Sequence, residues 1–206
     1  MIIAVDGPTA SGKGTIAKAL AAHFGLPHLD TGLLYRAVGL QCARNGGNPD
    51  DPADALKACD FPDAMMADPE LRSETTGGLA SRVSVHPEVR AALYDLQRAF
   101  ATQPGGAVLD GRDIGTVIAP EAEVKLFITA SVPARAHRRF AEMKASGRKV
   151  SLAEITADLE ARDLRDRTRA EAPLAIAPDA LVLDTSNVDR DEAIAEAIRA
   201  VEMLIA

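Results

Sequence analysis

Apolar residues fall into two patterns along this chain. Five short runs, Ile2–Asp6, Pro27–Asp30, Ala107–Asp110, Val124–Thr129 and Ala180–Asp184, are nearly unbroken in their apolar character. Such runs read as strands buried on both faces, which a parallel sheet between two helix layers demands. Six longer stretches, Lys13–Phe24, Leu33–Arg44, Glu88–Phe100, Pro133–Ser146, Leu152–Arg169 and Asp191–Ile205, repeat at helical spacing. In the last, Ile194, Ala197, Ile198, Val201 and Leu204 form one stripe, the mark of a helix with a single buried face. Strands alternating with helices predict an α/β fold: a doubly wound, five-stranded parallel sheet flanked by helices, with ligands beyond the carboxyl ends of the strands. Residues 45–80 break the alternation with Gly46-Gly47, Pro49, Pro52, Pro62, Pro69 and Gly77-Gly78, and predict an irregular insert.

A length of 206 residues fits one domain with a small insert. No stretch approaches the ~18 uncharged apolar residues of a membrane span. A buried-strand pattern starting at Ile2 leaves no room for a signal peptide, and two cysteines suit a reducing compartment. A cytoplasmic protein is expected. The net charge of −7 argues against nonspecific nucleic-acid binding. Its distribution is uneven: residues 131–170 carry ten bases against six acids, whereas 45–75 and 171–206 each carry eight acids against two bases. The bases are mostly arginine, the better fork for phosphate or carboxylate, so a local anionic ligand is expected.

After the first strand come Gly7, Pro8, Thr9, Ala10, Ser11, Gly12, Lys13, Gly14 and Thr15, leading into an apolar helix. The spacing G-x-x-x-x-G-K between strand and helix matches a P-loop, in which backbone N–H groups and a helix N-terminus cradle phosphates. Lys13 would neutralise the outer phosphates of a nucleoside triphosphate. Gly14 stands where many P-loops carry a Ser or Thr that ligates magnesium. Gly-Lys-Gly-Thr resembles instead the loop of nucleoside monophosphate kinases. Magnesium would then be held mainly by phosphates and water, and no protein metal ligand is expected.

A P-loop alone leaves GTPases, sugar kinases, nucleotide kinases and regulators open. The Asp-x-x-Gly and Asn-Lys-x-Asp strings of GTPases do not occur. Further anion-matched residues do: Asp30-Thr31-Gly32 with Tyr35 and Arg36, Asp110-Gly111-Arg112-Asp113, Arg135 with Arg138 and Arg139, and the string from Arg162 to Arg169. At about 100° per residue, Arg162, Asp166 and Arg169 share one helix face and Arg167 points away, while the three arginines from Arg135 to Arg139 share one side of another helix.

Along nearly its full length the chain resembles the bacterial cytidylate kinases. The strings that carry this are Asp6–Thr15, Leu29–Arg36, Asp110–Thr116, Arg135–Arg139 and Arg162–Arg169. The resemblance implies transfer of the γ-phosphoryl group of ATP, with magnesium, to CMP or dCMP. It implies that Thr31, Tyr35, Arg36, Ser81, Arg90, Arg112, Asp113, Arg162, Asp166 and Arg169 bind the acceptor. Among these, Thr31, Arg36, Arg112 and Arg169 would hold its phosphate, Arg162 and Asp166 would meet the sugar, and Ser81, Arg90 and Asp113 would read the base. Lys13, Arg112, Arg138, Arg139 and Arg169 would act in the transfer itself, Arg138 and Arg139 from a lid at about 138–170. The monophosphate-binding insert, at about 45–85, is short and Pro-rich here and shows little of the strand alternation expected of the family. A monomer is expected. Other readings stay open: a P-loop kinase acting on UMP or another acceptor, or an ATP-dependent switch, against which the arginine clusters argue. Cys42, Cys59, Met65 and Met66 read as packing, and the four histidines lack metal-ligand spacing.

Overall fold

The computed structural model of the chain describes residues 1–145 and 147–205. Ile3 and Val5 of β1 (Ile2–Asp6) pack with α1 (Lys13–Phe24) and α8 (Arg190–Ile205) on one side of the sheet. Ala4, between them, packs on the other side with Leu109 and Ala101, which belong to β3 (Ala107–Gly111) and α5 (Pro87–Ala101). Side chains alternate across a strand, so this division makes the sheet buried on both faces. With β2 (His28–Asp30), β4 (Val124–Thr129) and β5 (Leu181–Asp184), the strands run in the order β2-β3-β1-β4-β5, all parallel. The doubly wound five-stranded sheet read from the sequence is what forms. β5 departs from the buried pattern: at this edge Leu183 is buried while Leu181 and Val182 are exposed, because only one neighbour and one helix layer reach it.

β1 and β3 both end at the centre of the sheet, so the P-loop after β1 and the Asp110–Asp113 turn after β3 emerge side by side. The helices α2 (Thr31–Arg44), α6 (Val132–Ala145) and α7 (Leu152–Thr168) lie within two residues of their expected bounds; Ser146, expected to close one of them, lies outside the described residues. Residues 45–80 depart most. They are not irregular: α3 (Pro52–Lys57) and α4 (Glu74–Val83) are helices, and short 3₁₀ turns span Asp63–Ala67 and Pro69–Arg72. The prolines that suggested disorder of pattern start these elements: Pro52 and Pro69 sit in first turns, whose N–H groups have no intrahelical partner anyway. Asp51, Asp68 and Ser73 cap them through side-chain oxygens. Val83 of α4 and Ala55 of α3 join Leu34, Tyr35 and Val38 of α2 in one apolar cluster. No helix among the described residues is long and apolar enough to cross a membrane.

Candidate active site

The P-loop is built by backbone geometry first. Gly7 leaves β1 at a φ of +154°, and a Cβ there would lie 2.1 Å from the Ile128 carbonyl oxygen, so only glycine lets the loop pass β4 this closely. Ala10 takes a left-handed φ of 62°, at a cost of about 1–2 kcal/mol. Surrounding contacts hold the strain. Arg135, 2% exposed, donates Nη1 to the Thr9 carbonyl at 3.0 Å and pairs with Asp163 at 3.0 and 2.5 Å. Arg135 is thus a strut beneath the loop, whereas Arg138 and Arg139 reach the cavity. The expected common side of α6 splits between these two environments.

Thr9 to Thr15 line a cavity of about 680 Å³, together with Arg138, Arg139, Asp30, Asp110, Asp189 and Arg190. Gly7 and Pro8 are buried below it. Burial draws the Lys13 amine down to about 8, Arg112 pushes the same way, and Asp110, Asp30 and Asp166 oppose. Arg138 bonds the Thr185 hydroxyl at 3.1 Å and the Thr185 carbonyl. Arg139 pairs with Glu74 of α4 and, at 3.1 Å, with Glu142. Asp30 and Asp110 face the same cavity; burial raises Asp30, and the charge of Asp110 raises it further. His28 Nε2 lies 2.8 Å from Asp110 Oδ1.

A second, smaller cavity of about 90 Å³ opens on the α2, α4 and α7 side. All ten residues expected to bind the acceptor line it: Thr31, Tyr35, Arg36, Ser81, Arg90, Arg112, Asp113, Arg162, Asp166 and Arg169. Its arginines are held by carboxylates and carbonyls. Arg112 donates Nε to Asp166 Oδ2 at 2.7 Å, and this charge and bond hold Asp166 low although its burial alone would raise it. Asp113 pairs with Arg90 and, at 3.5 Å, with Arg169. Arg90 also lies 5.5 Å from the centroid of the Tyr35 ring. Arg36 donates to the carbonyls of Leu71 and Ser73 at 2.7 and 2.9 Å; burial, then the nearby charge of Arg162, draws it down to about 10. A Cβ on Gly77 would meet Arg36 at 2.9 Å and Arg162 at 3.1 Å, so this glycine lets α4 press against both guanidinium groups. Arg169 reaches the cavity differently from expectation. The helix ends at Thr168, and Arg169 has extended backbone with Nε donating to the Ala172 carbonyl at 2.8 Å. Arg167 is exposed, as the helical spacing predicts.

A family model described as cytidylate kinase matches residues 3–203. The curated cytidylate kinase of Cereibacter sphaeroides is 57% identical over 201 residues, covering 98% of this chain and 95% of its own. That of Azorhizobium caulinodans is 55% identical, covering 98% of both. The chain belongs to the cytidylate kinase family. A crystal structure of an uncharacterized protein from Eubacterium ventriosum, 16% identical, overlays with a TM-score of 0.57 over 98% of each chain, a likeness of fold. The chain spans 95–98% of the length of these two relatives.

Several residues of the site escaped sequence reasoning. Asp30 and Asp110 stood inside motif strings but were given no role of their own. Asp6 ends β1 fully inside the protein and accepts from Ile114 N and Gly115 N at 2.9 and 2.8 Å; burial, against those two bonds, lifts it to about 7. It ties the P-loop strand to a π-turn (Ile114–Ile118) that follows Asp113. No sequence signal announces that turn. Glu74 was missed because α4 was read as irregular; Arg165 stood inside the Arg162–Arg169 string but was given no role, because its partner Ser81 lies on that same unread helix.

Proposed function

We propose that this chain transfers the γ-phosphoryl group of ATP to CMP or dCMP, releasing ADP with CDP or dCDP, as a monomer in the cytoplasm. One observation carries the reading: the triphosphate cradle and the arginine-lined cavity share a wall made of Thr9, Gly32, Arg36, Gly111 and Arg112. An oxygen of the acceptor phosphate held there attacks the γ-phosphorus, and the bond from that phosphorus to the β,γ-bridging oxygen breaks. Positioning and charge neutralisation are the main demands of such a step. Lys13 with the P-loop N–H groups supports the β- and γ-phosphates. Arg36, Arg112 and Arg169 support the acceptor phosphate, with Thr31 beside them. Arg138 and Arg139, from the lid at about 138–170, would close on the transferring group and exclude water.

Magnesium would accompany ATP, held mainly by phosphates and water. The donor set fits that mode: Asp30 and Asp110 are paired carboxylates beside Gly14 and Lys13, able to hold the ion's water ligands. When bound, the ion would supply charge neutralisation for the triphosphate.

For the base, Asp113 suits the exocyclic amino group of cytosine, while Arg90 and Ser81 suit its ring acceptors; the sugar would meet Arg162 and Asp166. A coupled assay of ADP release with CMP, dCMP, UMP, AMP and GMP tests the assignment, alongside thermal shifts with each nucleotide. CMP and dCMP should give the highest kcat/KM and the largest shifts. Equal or better turnover of UMP or AMP would overturn the acceptor reading, and ATP-dependent stabilisation without any turnover would favour a switch.

A further inference from the structure

Ser81 lines the acceptor cavity from α4, and Arg165 approaches it from α7 without lining the cavity itself. Arg165 donates Nε to Ser81 Oγ at 3.0 Å. A serine hydroxyl has one proton and two lone pairs. This bond occupies one lone pair, and accepting from a cation polarises the hydroxyl, making it a better donor through its proton and a poorer acceptor at its second lone pair. The neighbouring Ser84 hydroxyl is itself a donor, to the Ser81 carbonyl at 3.2 Å. Ser81 lines the cavity, so the polarised hydroxyl is available to a ligand there. A guanidinium is permanently charged and has no acceptor, so the polarity of this contact cannot reverse while Arg165 is present.

We infer that Arg165 is a positioning residue for base selection: it holds the Ser81 hydroxyl and biases it toward donating a hydrogen bond to the acceptor base. This rests on the proposed reading that Ser81 contacts the base. The consequence is chemical. A hydroxyl biased toward donating matches the unprotonated ring nitrogen of cytosine and is a poor acceptor for the N3–H of uracil. Without the neighbouring cation the hydroxyl accepts from that N3–H more readily, so Ser81 alone would discriminate weakly. Arg162 and Asp166 flank Arg165 on α7 and line the same cavity. The helix that carries the sugar contacts therefore also sets the sense of a base contact.

The test is the ratio of kcat/KM for CMP to that for UMP in Arg165→Met, Arg165→Lys, Ser81→Ala and the Ser81→Ala/Arg165→Met double variant, with melting temperatures checked for each. Arg165→Met should lower the ratio by roughly fivefold or more, on the scale of one mispaired hydrogen bond. Lysine, which can still donate to the hydroxyl, should restore most of it. The double variant should discriminate no worse than Ser81→Ala, because Arg165 acts through that hydroxyl. A fall in ratio for Ser81→Ala but not for Arg165→Met would overturn the proposal while keeping Ser81 as a base contact. Equal losses with CMP and UMP in Arg165→Met would mark a purely structural residue and also overturn it. An unchanged ratio in Ser81→Ala would show instead that the base-contact reading beneath the proposal is wrong.

Discussion

Arg112 Nη2 donates to Thr9 Oγ1 at 2.6 Å, joining the turn after β3 to the phosphate loop after β1. The contact lies in the shared wall of the two cavities, where donor and acceptor phosphates would meet. Neither residue could be paired with the other from sequence spacing, since 103 positions separate them. The parallel register that sets Asp6 beside Gly111 brings them together.

Replacing Lys13 by methionine should leave the fold intact and lower kcat by roughly 10²-fold or more, the scale of losing one preorganised charge-stabilising group. Circular dichroism and steady-state rates with saturating ATP and CMP check this. Near-normal turnover would remove Lys13 from the transfer step.

The acidity of Lys13 also predicts a pH profile. Burial holds the free-enzyme amine at about 8, below its ordinary value, so its charge is complete at lower pH and lost as pH rises through 8. Bound phosphates favour the charged form. kcat/KM for ATP should therefore fall above about pH 8 while kcat persists to higher pH, since the two report the free enzyme and the complex respectively. A kcat/KM profile flat across that range contradicts the assignment.

Arg112→Ala and Arg169→Ala should each weaken CMP binding and slow turnover together, whereas cytidine, which lacks the phosphate, should bind the wild type and both variants almost equally weakly. Calorimetry with both ligands separates the two effects. Normal CMP affinity in Arg169→Ala would make its contacts with Asp113 and the Ala172 carbonyl purely structural.

Asp113→Asn should erode the preference for CMP over UMP, expected to be at least roughly tenfold in kcat/KM for the wild type, because an amide can turn a donor toward the uracil carbonyl. Comparing ratios within each protein cancels general damage. An unchanged ratio would limit Asp113 to orienting Arg90 and Arg169.

Truncating Asp163 to alanine should cost about 3–5 kcal/mol in urea unfolding, because it strands the charge of Arg135 inside the protein. KM for ATP should rise as well, since Arg135 holds the Thr9 carbonyl. Wild-type stability would mean that water or another carboxylate takes over the pairing.

By itself the sequence determined the sheet, the helices around it and the P-loop. Apolar runs, helical spacing and a glycine-lysine string are local signals, and the forces behind them act within a few residues. Lys13 and eight of the ten residues lining the smaller cavity were legible for a related reason: each stands in a short string at a strand end or on one helix face, whereas Ser81 and Arg90 came only from the resemblance. Tertiary structure alone decided the rest. Residues 45–80 looked broken because prolines and glycines interrupt them, yet capping by Asp51, Asp68 and Ser73 and burial against α2 make much of the stretch helical. The spacing on α6 could not tell that Arg135 turns inward to Asp163 while Arg138 and Arg139 stay at the cavity. Arg169 leaves its helix before reaching the site. Asp6 binding the π-turn and Arg165 setting Ser81 are contacts between distant segments, and their energies depend on burial and direction that no linear pattern carries.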